Sequence, residues 1–269
     1  MRSLLHMAAT MVLAHSALAE VKVEIGEISD KRTTGKFFAG LEIELKLSGQ
    51  ELATAKGIRT VVKTITDDTG KPVSAAKNAF HRDGFEDLQK AFGFGFNSGE
   101  KKAEEFQVKL EFANPPRTAK ALKELNGTIE LLIPAKDPAC IVTASVAKDA
   151  GKWLDNAALK AAGIELKLLK PEPGAKKPAG FTFSANLGES DLGYEIKDPK
   201  NKVASVEFFD AGGKKLESNS RISSGFNGVN SVTMSFKDKP PADAVAKVYL
   251  VTEKSVVTVP LAFKNIALP

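Results

Sequence analysis

The residue types that most often carry out catalysis are scarce in this chain of 269 residues, which has three histidines and one cysteine. His6 and His15 lie in the apolar N-terminal stretch, so His81 is the one histidine of the rest of the chain. A zinc or iron site with several histidine ligands is therefore excluded. A Ser-His-Asp or Cys-His device would have to use His81, which has Asp83 nearby but no nucleophile motif around a serine. We expect His81 to lie in an exposed loop.

Two short acidic segments contain oxygen ligands of the kind that calcium prefers, Asp67-Asp68-Thr69-Gly70-Lys71 and Asp210-Ala211-Gly212-Gly213-Lys214. Neither segment has the spacing of an EF-hand or enough ligands for an oxygen cage. We predict tight turns instead, in which the aspartate caps the turn and a glycine adopts positive φ. The chain also contains no phosphate-binding loop or dinucleotide fingerprint. Its many acidic residues include no distinctive pair of the kind that a glycosidase uses. We therefore expect no cofactor, no metal and no catalytic residue.

Four aromatic residues are the candidate binding residues: Phe92, Phe94, Phe96 and Tyr194. The alternating phenylalanines and glycines of residues 92–96 could form an apolar lip for a ligand or a partner. They are also consistent with a strand whose phenylalanines share one core face. A carbohydrate-binding surface needs exposed flat aromatic rings, and Tyr194 is the candidate for such a ring in a loop. We expect Trp153 to pack between domains.

One block of sequence occurs twice and predicts the architecture. Each copy has alternating strands, an Asp-x-x-Gly-Lys turn, another alternating strand and a Pro-Pro-x-x-Ala corner. The corners are Pro115-Pro116-Arg117-Thr118-Ala119 and Pro240-Pro241-Ala242-Asp243-Ala244. Two copies predict two similar β domains in tandem. The second corner resembles the one that precedes the penultimate strand of immunoglobulin-like sandwiches. That resemblance implies an all-β fold of two tandem immunoglobulin-like antiparallel β-sandwiches, and it implies no particular function.

Local signals predict further elements. Asn126-Gly127 predicts a two-residue hairpin, because both residues tolerate positive φ. Asp155 is the expected N-cap of a short helix over residues 156–162, and Gly163 is its expected stop. Strict alternation of apolar and polar residues, as in Leu41 to Leu47, predicts strands with one face in a core.

The expected organisation has four parts. Residues 1–19 have the basic start, apolar run and small-x-small end of a cleavable signal peptide. Residues 20–138 form the first sandwich, with a long insertion at 75–105 that is a candidate functional segment. Residues 139–163 form a linker with a short helix, and residues 164–269 form the second sandwich. Cys140 cannot form an internal disulfide, and we expect it to be a buried, inert thiol at the junction.

Charge and hydrophobicity limit the classes of partner. The formal net charge is +5, but lysines alternate with acidic residues along the chain, which is typical of solvated strand faces. We therefore expect no nucleic-acid partner. No apolar stretch beyond the signal segment is long enough to span a membrane.

The predicted function is that of an exported, non-catalytic binding or structural protein in the periplasm or outside the cell. Its predicted partner is an envelope protein or a polysaccharide. One alternative is a carbohydrate-binding module that uses Tyr194 or Trp153, and another is a hydrolase that uses loop carboxylates. A periplasmic pilus chaperone also has two immunoglobulin-like domains, but that family's long strand with anchoring Arg and Lys is not found here.

Overall fold

The computed structural model describes residues 21–33, 39–76, 84–88, 105–170 and 187–269, which form mainly antiparallel β-structure. The strands are β1 Lys22–Lys31, β2 Gly40–Ser48, β3 Gly57–Asp67, β4 Glu86–Asp87, β5 Glu105–Phe112, β6 Ala121–Leu132, β7 Ile141–Ser145, β8 Glu165–Leu169, β9 Asp191–Lys197, β10 Val203–Phe209, β11 Ser218–Phe226, β12 Val229–Phe236, β13 Val245–Leu250 and β14 Val256–Ala267. The helices are α1 Val146–Asp149 and α2 Ala157–Ala162, with 3-10 turns at Gln50–Thr54, Pro134–Lys136 and Pro138–Cys140. Within these described ranges, no helix is both long and apolar enough to cross a bilayer.

The strands form four sheets that surround two cores. Sheets β1-β2-β5 and β14-β6-β3-β4 share the first core, and we call them the N-terminal sheet pair. Sheets β10-β13-β7 and β11-β12-β9-β8 share the second core, and we call them the central sheet pair. The predicted period of two is confirmed in β2, where Leu41, Ile43, Leu45 and Leu47 are all buried and the residues between them are not. Burial of one face of each sheet is the main source of stability for such a fold.

The N-terminal sheet pair is completed by β14, which follows all the strands of the central sheet pair in sequence. β7 follows β6 in sequence, but it pairs with β13 of the central sheet pair. β14 follows β13, but it pairs with β6 of the N-terminal sheet pair, from Val256 opposite Leu132 to Ala267 opposite Ala121. The pairing of β14 with β6 therefore crosses the predicted boundary near residue 138. The predicted division into domains stays a prediction.

The repeated turns confirm the local prediction made from the Asp-x-x-Gly-Lys motif. In the first turn, Asp67 Oδ1 accepts from the backbone N–H groups of Thr69 and Lys71, each at 2.9 Å. In the second, Asp210 Oδ1 accepts from the N–H of Lys214 at 2.8 Å. The glycine of each turn, Gly70 or Gly213, has positive φ (82° and 83°). This backbone conformation is costly for any residue that has a Cβ atom. The hydroxyl of Thr69 also donates to Asp67, and this hydrogen bond lowers the pKa of the Asp67 carboxyl.

The Pro-Pro corners also share one geometry. The N–H of Ala119 donates to the carbonyl of Pro116 at 2.9 Å, and the N–H of Ala244 donates to the carbonyl of Pro241 at 3.0 Å. The same local sequence therefore makes the same bend before β6 and before β13.

The hairpin predicted at Asn126-Gly127 is wrong, because β6 runs without interruption through both residues. Gly127 lies in the middle of a sheet, with Val62 on one side and Leu261 on the other. A Cβ at this position would collide with the backbone carbonyl of Val61, next to the register shift in β3. The glycine is needed for close approach of two backbones rather than for a turn.

The short helix is present, but its N-cap differs from the prediction. The side chain of Asn156, not Asp155, accepts from the N–H groups of Ala158 and Leu159. The carboxylate of Asp155 instead forms an ion pair with Lys160 at 2.6 Å. Gly163 ends the helix at φ 73°, as predicted.

A small mixed cluster joins the two sheet pairs. Phe85, Leu132, Ala204 and Tyr249 are buried against one another. Beside them Lys56 of the N-terminal pair donates to Glu207 of the central pair at 2.9 Å, and Lys215 donates to the same carboxylate at 2.8 Å. The ion pair of Lys56 with the buried Glu207 therefore links the two sheet pairs.

Candidate functional site: an unprotected sheet edge

The edges of β-sheets are sites where another strand can add, because an edge strand has unpaired backbone N–H and C=O groups. Proteins usually protect such edges with charges, prolines, bulges, short strands or covering loops. We therefore compared the edge strands of the four sheets.

Most of these edges carry at least one protective feature. β1 has a bulge between Ile25 and Ile28 and several charged residues. β5 alternates polar, mostly charged, residues with apolar ones, and β14 contains Pro260. β4 and β7 are short, with two and five residues. β8 is covered by the preceding segment, since the N–H groups of Gly151 and Leu154 donate to its carbonyls. β10 is covered in the same way by the turn that follows it.

Strand β11 is the exception among the described edges. It has nine residues, Ser218–Phe226, with the sequence SNSRISSGF, and most of them are exposed. It contains no lysine and no proline, and its only bulge lies at its start, between Ser218 and Ser220. The described residues provide one neighbour for it, β12. Within the described ranges no strand pairs with its other side, which we call the free edge.

Two large apolar side chains stand out on this strand. Ile222 is 61% exposed and Phe226 is 79% exposed. Both lie on the outer face of the sheet, because Ile222 is opposite Thr233, whereas Val232 and Met234 of β12 point into the core. Exposed apolar side chains that share one face of an edge strand make that face a candidate interaction site.

The geometry of the hairpin determines which backbone groups face the free edge. β11 and β12 are joined by Asn227-Gly228, with φ values of 50° and 75°, as in a type I′ turn. The residues that flank a two-residue turn form a hydrogen-bonded pair, and such pairs alternate along the strands. Ile222, Ser224 and Phe226 therefore direct their N–H and C=O groups to β12, and Ser223 and Gly225 direct theirs to the free edge.

An internal contact holds β11 on the sheet. Arg221 lies on the inner face, and its Nη2 donates to the hydroxyl of Tyr194 at 2.8 Å. The prediction that Tyr194 lies in a loop is wrong, because it belongs to β9 and is 4% exposed. Its ring belongs to the second core, since it is opposite Val232 on the inner face. Tyr194 therefore offers no flat surface to a ligand, and its hydroxyl positions the guanidinium of the edge strand.

The opposite edge of the same sheet carries the exposed tryptophan. Trp153 forms a bridge with Lys167 of β8, and its side chain is 42% exposed, so the prediction that it packs between domains is wrong. The ammonium groups of Lys167 and Lys197 lie 5.8 Å and 5.0 Å from the centre of its ring. Cation–π attraction keeps part of the indole surface covered. Each of these lysines also pairs with a glutamate of the sheet.

The remaining predicted site residues have different outcomes. Phe92, Phe94 and Phe96, like His81, lie outside the described residues. Cys140 is fully buried, as predicted, and burial raises the pKa of its thiol to about 11. In the described ranges, no three His, Cys, Asp or Glu side chains come together as a metal site would require.

Ile222 and Phe226 were not predicted as site residues, although a sequence signal for them exists. Asn227-Gly228 predicts a hairpin turn, and the segment before it is rich in serine and free of lysine and proline, as in an unprotected edge strand. The sequence alone cannot show that this strand lies at the edge of a sheet. Comparison of the chain with models of protein families, with curated proteins and with solved structures found no match.

Proposed function

We propose that this chain is an exported, non-catalytic interaction protein that binds an extended polypeptide segment by strand addition along β11. The observation that carries the proposal is the free edge of β11, which lacks the protective features of the other described edges and exposes Ile222 and Phe226. Strand addition uses backbone hydrogen bonds for affinity and alternate side chains for specificity. The basic start, apolar run and small-x-small end of residues 1–19 support export to the periplasm or outside the cell.

We also propose that the chain folds as two tandem immunoglobulin-like β-sandwiches. Two sheet pairs, each with one sheet of three strands and one of four, support two immunoglobulin-like sandwiches. Such sandwiches frequently serve as binding modules, so this architecture is compatible with an interaction function, although a fold does not specify one.

The test measures how much of a partner each of several matched variants captures from an envelope extract of the source organism. The Ile222→Lys/Phe226→Lys variant places charges on the free edge, and Ser223→Pro removes a backbone N–H that faces it. Thr258→Lys, at an exposed position of the edge strand β14, is the control. We expect the wild type and the control to capture the same partner after washing in moderate salt, and both β11 variants to lose it with little change in thermal unfolding. Equal capture by all four proteins would exclude β11 as the binding site.

A second candidate function, carbohydrate binding, rests on the exposed indole of Trp153. Retention of the wild type, but not of Trp153→Ala, on an insoluble polysaccharide would favour it. Equal retention of the two proteins, or retention of neither, on every polysaccharide tested would exclude carbohydrate binding through Trp153.

A further inference from the structure

We infer that the segment which adds to β11 is β11 of a second copy, so that two chains form a symmetric dimer with one continuous sheet. This inference rests on the proposed function and names the partner at the same site. It follows from the sequence of the strand, which is complementary to itself when it is paired antiparallel about a two-fold axis.

The register follows from the positions of the two apolar residues. Ile222 and Phe226 are four residues apart on the same face, and Ser224 lies midway between them. An axis through Ser224 places Ile222 of each copy opposite Phe226 of the second copy. The dimer then has two aromatic–aliphatic cross-strand pairs where each monomer has two exposed side chains. An axis through Ile222 would place Phe226 opposite Ser218 and form one apolar pair.

The backbone is compatible with this register. An axis through Ser224 places Ser223 of one copy opposite Gly225 of the second copy, and the reverse. These are the residues whose N–H and C=O groups face the free edge, so both pairs can exchange hydrogen bonds. The backbone N–H and C=O groups of Ser224 face β12. The two copies of Ser224 therefore form the non-hydrogen-bonded pair at the centre, where opposite Cα atoms lie about 4.5 Å apart.

Charge does not oppose the pairing. Arg221 is the one charged residue of β11, and its guanidinium lies on the inner face against the hydroxyl of Tyr194. The outer face at the axis carries Ile222, Ser224 and Phe226, so no like charges become opposite neighbours.

The experiment uses purified protein without extract. Ser224→Cys places two thiols opposite each other in the dimer, within the Cα separation of 4.4–6.8 Å that a disulfide needs. Ser231→Cys, opposite Ser224 on β12, is the matched control. Its two copies would be three strand spacings apart, about 14 Å, which is too far for a disulfide. Both variants are incubated with oxidised glutathione and examined on non-reducing gels, and the wild type is examined by sedimentation velocity over a range of concentrations.

The expected result is a concentration-dependent dimer for the wild type, at least tenfold more disulfide dimer for Ser224→Cys than for Ser231→Cys, and a monomer for Ile222→Lys. A wild type that stays monomeric, or equal cross-linking of the two cysteine variants, overturns the inference. If the protein is monomeric but captures a partner that the β11 variants lose, the proposed function holds and the added strand belongs to that other protein. If both tests fail, both proposals fail.

Discussion

Val257, near the end of the chain, lies opposite Leu131 of β6, not opposite a residue of β13, the strand that precedes it. The last strand thus completes the sheet that the first half of the chain begins. Between β6 and β14 the chain builds the whole central sheet pair and returns, so that the N–H of Ile133 donates to the carbonyl of Ser255 at 2.7 Å. The N-terminal sheet pair therefore depends on residues from both ends of the sequence.

The first prediction is that residues 20–138 do not fold alone. Without β14 they lose the partner of β6 along its length and two buried side chains, Leu261 and Ile266. Loss of a buried Leu or Ile costs about 2–5 kcal/mol, which for two side chains is comparable with the stability of a whole domain. Circular dichroism and urea titration should show no cooperative unfolding.

The control for that fragment restores β14 by a short connection. Residues 20–138 are joined to residues 252–269 by a flexible linker, which the contact between Ile133 and Ser255 shows to be geometrically possible. We expect this protein to fold and to unfold cooperatively. Cooperative unfolding of residues 20–138 by themselves would contradict the role assigned to β14.

The second prediction concerns Gly127. Gly127→Ala should destabilise the protein by roughly 3 kcal/mol, because the added methyl group collides with the backbone of Val61, which cannot move without disturbing the sheet. Gly212→Ala is the control, since its methyl group would meet the carboxylate of Asp210 at 3.3 Å and no backbone atom within 4 Å. The free energy of unfolding from urea titration of the two variants tests the difference. Similar values would show that β3 and β6 can separate at this point.

The third prediction is a pH dependence that arises from Glu207. Burial raises the pKa of this carboxyl, but the charges and hydrogen bonds of Lys215 and Lys56 outweigh burial and leave the pKa below its ordinary value of 4.5. The carboxylate therefore stabilises the fold above pH 4.5, and this contribution is lost as the pH falls through the lower folded-state pKa. Glu207→Gln should cost roughly 3 kcal/mol at pH 7, because it leaves two ammonium groups without their counter-charge.

Thermal unfolding of the wild type and Glu207→Gln between pH 3 and pH 7 measures this effect, with the exposed Glu217→Gln as control. The difference in Tm between the wild type and Glu207→Gln should become smaller as the pH falls, whereas the Tm of Glu217→Gln should follow that of the wild type. A gap that is constant across this range would mean that packing, not charge, explains the loss.

The fourth prediction is that Cys140 does not react in the folded protein. Its side chain is fully buried, and a pKa of about 11 leaves about one thiol in a thousand ionised at pH 8. Ellman's reagent should therefore detect no fast-reacting thiol until urea unfolds the chain, whereas Ser224→Cys should react at once when reduced. A rapid reaction of the native protein would show that Cys140 is accessible through local opening.

The sequence by itself determined the local features of this protein. Alternation of apolar and polar residues predicts strands because the side-chain period of a strand is two. The turns at Asp67 and Asp210 follow from a carboxylate that accepts backbone N–H groups and a glycine at positive φ. These interactions are complete within a few residues, so a motif of the same composition gives the same geometry in both copies.

Only the tertiary structure decided which strands pair and which edge stays free. β7 and β14 each follow a Pro-Pro corner and one further strand, so their sequences do not specify which of β6 and β13 each one joins. Asn126-Gly127 and Asn227-Gly228 are the same dipeptide, but one lies inside a central strand and the other turns a hairpin. The outcome depends on neighbours distant in sequence, because strand pairing and burial are properties of the assembled sheet. For the same reason Tyr194 is buried, while Ile222 and Phe226 remain exposed on the edge that we propose as the binding site.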